Sequence, residues 1–147
     1  MSGAPSNPLP FVSLVMAVRN EAKFIRRSVE CLMAQDYPAD RLECIIADGM
    51  SEDGTPDIIR SLQGSHPNLR VVENPRKTTA TGLNTAILAS KGDVIVRMDG
   101  HSEIGPDYAR NCVRELERTG ADHVGGAAPP AGDNRFAEFY IDDVKLV

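Results

Sequence analysis

The chain has 147 residues, 41% of them hydrophobic, which is the size and apolar content of one globular domain with a real core. Its net charge of −5, with no long basic run, excludes a nucleic-acid footprint, and Cys31, Cys44 and Cys112 are too scattered for a disulfide scaffold or a zinc site. No apolar run approaches the roughly 20 residues of a membrane span. The first ten residues, MSGAPSNPLP, lack the charged and apolar regions of a signal peptide and read as a flexible tail. A soluble protein with reduced thiols is expected, placed in the cytoplasm or at the inner face of the membrane.

Phe11 to Val18 (FVSLVMAV) reads as a strongly apolar first strand. Asn20 is placed to cap the next helix, in which Ile25, Val29, Leu32 and Met33 recur at helical spacing until Tyr37-Pro38 ends it. Leu42 to Ala47 (LECIIA) forms a second strand that runs into Asp48-Gly49. The loop Gly49 to Thr55 has turn chemistry, with Ser51 and Asp53 read as turn or cap residues, and Thr55-Pro56-Asp57 opens a helix that buries Ile58, Ile59 and Leu62. Leu69 to Glu73 is a short third strand. Leu83, Ala86 and Ile87 then mark another amphipathic helix that Ser90 ends.

The stretch Gly92 to Asp107 (GDVIVRMDGHSEIGPD) organises the rest. Its β-branched run Val94-Ile95-Val96 predicts a central strand covered on both faces, and Pro106 is placed at the first position of the following helix. Ala109, Cys112, Val113 and Leu116 pattern that helix, and Gly120 stops it. Asp122 to Ala127 predicts a fifth strand. After Ala128 the alternation ends in Pro129-Pro130, Gly132 and a partly amphipathic run through Phe136, Phe139 and Tyr140 with no assigned role. Strands separated by such helices call for right-handed crossovers, hence an α/β fold with a mostly parallel sheet and helices on both faces. Residues 11–128 form that domain, and 129–147 begin something else.

Polar residues stand at three strand ends: Arg19-Asn20-Glu21, Asp48-Gly49 and Asp99-Gly100-His101. A doubly wound sheet binds its ligand outside these carboxyl ends. An Asp and a His two residues apart can offer a carboxylate and an imidazole to a divalent cation, which in turn can hold a diphosphate. Asp-Gly-His taken alone fits an acidic helix-capping turn as well. Arg76 and Lys77 stand where they would add positive charge at phosphates, or simply form a solvated basic loop. His66 and His123 read as structural or surface residues. Neither a P-loop nor a GxGxxG stands at any strand-to-helix turn, which removes the usual support for an ATPase or a dinucleotide enzyme.

The ordered set AVRNEAKFI, IIADGMSEDGT, GLNTAILASKGD and IVRMDGHSEIGPDY resembles the nucleotide-sugar-binding half of family-2 glycosyltransferases of polysaccharide-biosynthesis type, which have the GT-A fold. The resemblance covers residues 11 to 127 and implies inverting transfer of a sugar from a nucleoside diphosphate, commonly uridine diphosphate. It places Ala17, Arg19 and Glu21 at the nucleobase pocket, Asp48 on the base, Asp99 at the ribose and diphosphate, and the metal (Mn2+ or Mg2+) on Asp99 and His101. The family's usual Asp-x-Asp ends here in His101, and the softer imidazole favours manganese over magnesium.

Inverting transfer needs a general base. The resemblance puts that carboxylate downstream, in a Glu-Asp type motif followed by a Trp-containing segment. The chain contains no Trp, and Asp142-Asp143 comes too soon after the fifth strand to fit. The expectation is a donor-binding portion, truncated or completed by a second polypeptide, that binds a nucleotide sugar and transfers poorly alone. A nucleotidyltransferase and a non-catalytic nucleotide-binding or assembly module are the alternatives. The first calls for a Gly-rich basic loop where this chain has AVRNEAKF; the second predicts a folded protein without nucleotide affinity.

Overall fold

The computed structural model describes residues 8–122 and 124. Four parallel strands lie in the order β3-β2-β1-β4, where β1 is Val12–Val18, β2 Leu42–Asp48, β3 Leu69–Glu73 and β4 Val94–Asp99. Because β1 lies between β2 and β4, its side chains are covered whichever way they point: Val12, Leu14, Val15 and Met16 are all fully buried. Helices α1 (Ile25–Met33), α2 (Thr55–Gln63) and α4 (Tyr108–Thr119) cover one face, packing Val29, Ile59 and Val113 into the cluster that holds Leu14, Met16, Ile46 and Met98. Helix α3 (Thr79–Ala89) covers the other, with Ala86 against Val15, Ile45 and Ala47. The chain steps from β1 to β2 to β3 in one direction and then returns to the far side of β1. Right-handed crossovers therefore require α3 on the opposite face from α1 and α2, where it is found. The reversal puts the topological switch point between β1 and β4.

Several local expectations change. Among the described residues β4 is an outer strand: Val96 and Met98 are buried, whereas Ile95 is 38% exposed and shares its open face with Arg97 and Asp99. A β-branched run fits a strand with one open face as well as one buried on both, since branched side chains pack well on a pleated, half-buried surface. Asn20 is not a helix cap. It sits in the left-handed region at φ 53°, and α1 begins only at Ile25 with no side-chain cap. Helix α4 begins at Tyr108, so Pro106 lies in the preceding turn, where its carbonyl accepts the Asp36 N–H at 2.6 Å. Ile87 is half-exposed on α3, whose buried contacts come from Gly82 and Ala86. The expected fifth strand (of which only Asp122 and Val124 are described), His123, the aromatic run and Asp142-Asp143 lie outside the described residues. No described helix is long and apolar enough to cross a membrane.

The amino ends of the strands are closed by a buried carboxylate. Glu43, 3% exposed, accepts the Ser13 hydroxyl at 2.6 Å, the Lys91 N–H at 2.9 Å and the Arg70 guanidinium at 3.0 Å. Burial pushes its pKa up, but the bonds from Ser13, Lys91 and Arg70 outweigh burial and hold it below the ordinary 4.5. A depressed carboxylate pKa means the unfolded chain binds more protons than the native one at acid pH. The contribution is therefore complete above the ordinary value and lost as pH falls through the folded one. Glu43→Gln should cost about 1–2 kcal/mol at neutral pH, the half-exposed Arg70 adding little. In urea unfolding, the gap from wild type should narrow towards about pH 3. Parallel stability curves would show that the Glu43 charge is not what matters.

Candidate nucleotide-binding site

The switch point opens into a small polar cleft of about 150 Å³, lined by Ala17, Arg19 and Glu21 from the end of β1, Asp99 and His101 from the end of β4, and Lys77 and Thr78 from the turn between β3 and α3. Five of the residues expected from sequence share one cleft: Ala17, Arg19, Glu21, Asp99 and His101. The resemblance put the first three with Asp48 at the base, whereas here they lie with Asp99 and His101. Within the cleft, His101 Nδ1 lies 3.5 Å from Glu21 Oε1, and Asp99 Oδ1 lies 3.6 Å from the Arg97 guanidinium. Asp48 lies on the same rim but not in that cleft. It pairs with Val18, which faces the α1 side, whereas Asp99 pairs with Ala17, which faces α3. Asp48 instead lines a wider adjoining groove of about 750 Å³ with Met50, Ser51, Val72 and Glu73. Lys77 is common to both.

Cross-chain hydrogen bonds hold this rim in place. The consecutive N–H groups of Asn20, Glu21 and Ala22 donate to Ser51 Oγ at 2.9 Å, Thr55 Oγ1 at 2.9 Å and Asp53 Oδ2 at 3.1 Å. In return Asn20 Oδ1 accepts the Glu52 N–H at 2.8 Å. Asp53 also accepts the Thr55 N–H, and the bond from the Thr55 hydroxyl is the main cause of its lowered pKa. Asp48 receives the Ser51 hydroxyl at 2.6 Å on one oxygen and the Ser51 N–H at 3.2 Å on the other. A carboxylate has about four lone-pair sites, so Asp48 can still accept from a ligand.

On the β4 side, the buried Ser28 hydroxyl donates to the Gly100 carbonyl at 3.0 Å. A Cβ at Gly100 would stand 2.8 Å from Val18 Cγ1, so only glycine lets the β4 turn close against β1 and present His101 to Glu21. Sequence reasoning missed Ser28 and Asn74. Buried Asn74 donates to the Thr78 carbonyl at 2.9 Å and accepts the Thr81 hydroxyl at 2.9 Å, fixing the loop that carries Lys77. Its Asn-Pro context reads only as a turn. Arg76 lines neither cleft, which separates it from its neighbour. His66 lies in the turn before β3, away from both.

The fold and this rim define a parallel α/β domain whose polar residues gather at the carboxyl ends of its strands. The model of glycosyl transferase family 2 matches residues 13–143, and the chain belongs to that family. Relatives include glycosyltransferase AglE of Haloferax volcanii, 31% identical over 82% of this chain and 40% of that protein. The succinoglycan biosynthesis protein ExoA of Rhizobium meliloti is 32% identical over 90% of this chain and 41% of its own. This chain thus covers about two fifths of the length of each of these two relatives. Among solved structures, the Pyrobaculum calidifontis mannosyltransferase PcManGT in complex with GDP-Man and Mn2+ superposes with a TM-score of 0.69 at 34% identity, covering 73% of this chain and 32% of that one. S. aureus TarS in complex with UDP-GlcNAc, at 19% identity, superposes with a TM-score of 0.65 over 76% of this chain and 32% of its own, and shares the GT-A fold.

Thr55→Val keeps the shape of a fully buried side chain and removes the acceptor for the Glu21 N–H. It should lower stability by about 1–3 kcal/mol, measured by chemical denaturation. A loss below about 0.5 kcal/mol would mean that this bond does not hold the rim.

Proposed function

We propose that this chain binds a nucleoside diphosphate sugar, a uridine diphosphate sugar first among candidates, together with a divalent cation, for inverting transfer of the sugar. The observation that carries this reading is the joining of two clefts across the end of β1, one holding Asp48 and the other Glu21, Asp99 and His101. A nucleotide has the same two-part character, a base with edge hydrogen-bond groups and a charged diphosphate. The wider groove suits the base. There Asp48 is an acceptor for a ring N–H at the base's pairing edge, the uracil N3–H or the guanine N1–H, which cytosine and adenine lack. Binding of GDP-Man by the mannosyltransferase and of UDP-GlcNAc by TarS leaves the choice between those two bases to experiment.

The polar cleft suits the diphosphate. Among the described residues no three His, Cys, Asp or Glu side chains gather closely enough to enclose a metal alone. The donor set nevertheless fits a shared ion: Asp99 and His101 would supply two protein ligands, Glu21, 3.5 Å from His101 Nδ1, would orient the imidazole, and phosphate oxygens and water would complete the shell. When bound, such a cation neutralises the charge that develops on the departing diphosphate. Arg19 lines the same cleft and is a second source of positive charge at its β1 side. The acceptor-activating base belongs, on this reading, to residues outside those described, and the portion described here carries donor binding.

Titration calorimetry of the 147-residue chain with UDP or GDP and Mn2+ tests the proposal. Binding of one of these over CDP and ADP is expected, weakened at least about tenfold by Asp99→Ala, as for loss of a charge-assisted contact. A folded protein that takes up none of them, or one whose affinity ignores Asp99→Ala, defeats it and favours a non-catalytic module.

A further inference from the structure

Among the described residues three that are not glycine have left-handed backbones: Asn20 at φ 53°, Met50 at φ 58° and Lys77 at φ 65°. They stand in the turns that leave β1, β2 and β3. Asparagine tolerates this region, and Asn20 uses its side chain there to accept the Glu52 N–H. Lysine has no such compensation, because its Cβ crowds the following carbonyl and its amine does not reach back to the local backbone. Met50 lines only the wider groove, whereas Lys77 lines both clefts.

The backbone at Lys77 is fixed by its neighbours rather than by its own side chain. The Lys77 N–H donates to the Asn74 carbonyl at 3.0 Å, closing a turn. Asn74 is itself anchored through its N–H to the Asp48 carbonyl at 2.8 Å and through its side chain to Thr78 and Thr81. Glycine at position 77 would follow the same path with less strain. The lysine side chain, meanwhile, serves no packing purpose: it is exposed and, among the described residues, has no ion pair and no side-chain hydrogen bond. The fold would be better served by another residue. A ligand would not.

The clefts carry acids on both sides, Asp48 in one and Glu21 and Asp99 in the other; Arg60 lines only the first and Arg19 only the second, so Lys77 is the one basic residue common to both linings. An anion placed where the clefts meet needs a positive charge at that junction, besides Arg19 on the β1 side and any cation held at Asp99 and His101. A lysine ammonium, a compact charge with three donors, meets that need at phosphate oxygens. We infer that Lys77 is a positioning residue for the donor's diphosphate, holding it where the two clefts meet, and that its strained backbone is the stability cost of placing an ammonium there. The inference rests on the donor-binding reading above and adds to it a residue and a trade-off.

Three variants of the full chain separate charge from strain: Lys77→Gly, Lys77→Ala and Lys77→Arg. Thermal unfolding without ligand should show Lys77→Gly raised by about 2 °C, while Ala and Arg stay near wild type. Calorimetry with Mn2+ and UDP or GDP, whichever the wild type binds, should show Gly and Ala weakened about tenfold and Arg within about twofold. The loss should be smaller for the corresponding monophosphate, and wild-type affinity should fall more steeply with salt than that of Ala. If the wild type binds and Gly and Ala bind as well as it does, Lys77 does not position the diphosphate and the inference falls alone. If the wild type binds neither nucleotide, the donor-binding reading falls and takes this one with it. A Gly variant no more stable than wild type overturns the strain half of the claim.

Discussion

Three successive backbone N–H groups at the end of β1 have no secondary-structure partner, and the shape of the rim depends on where they go. They are bound by Ser51, Thr55 and Asp53, side chains of the loop that leaves β2. Water could satisfy the same donors, but it would not fix their position. Side-chain acceptors tie two strand-to-helix turns into one unit, so Glu21 is presented at a set height above the sheet. The reach is long in sequence, 31 to 34 residues. Closing such a loop costs chain entropy that the buried sheet between the two turns has already offset.

The two ends of the sheet handle polar groups in opposite ways. At the amino ends Glu43 is sealed, with partners from the end of α3, from β1 and from β3, and no room for a ligand. At the carboxyl ends the acids keep spare lone pairs and half-open surroundings. Asp48 spends one bond per oxygen on Ser51, and among the described residues Asp99 has only Arg97 at 3.6 Å. Composition does not distinguish these acids. What differs is whether the neighbours supply enough donors to satisfy the carboxylate. A satisfied buried acid stabilises, and an unsatisfied acid at a cleft is available for binding.

Much of this was readable from the chain itself. Apolar runs located all four described strands, and Asp-Gly after two of them marked the rim. The four ordered motifs named the family. The failures share a cause. Periodicity reports how buried a segment is on average, so it took Val94-Ile95-Val96 for an inner strand although β4 is outermost among the described residues. Local capping rules assigned Asn20 to a helix start, because they cannot see that Glu52, far along the chain, competes for its side chain. Arg76 and Lys77 were indistinguishable as adjacent basic residues. Only the turn closed by Asn74 decides which of them reaches the clefts.

The opposed directions of Asp48 and Asp99 limit what can bind. Two acids on one face could share a small ion directly, but acids on the two sides of β1 cannot, and a ligand that uses both must arch over the end of that strand. The arch is possible only if the end of β1 is low and closely walled. At Gly82 a Cβ would meet Ala17 Cβ at 2.7 Å, and at Gly100 it would meet Val18 Cγ1 at 2.8 Å, so both walls approach to the limit of contact. A larger residue at either place would lift α3 or the β4 turn and widen the span. Under the proposed donor binding, length is what this geometry selects for: an extended ligand with a base at one end and charge at the other would span both sides, and a compact anion would engage one only.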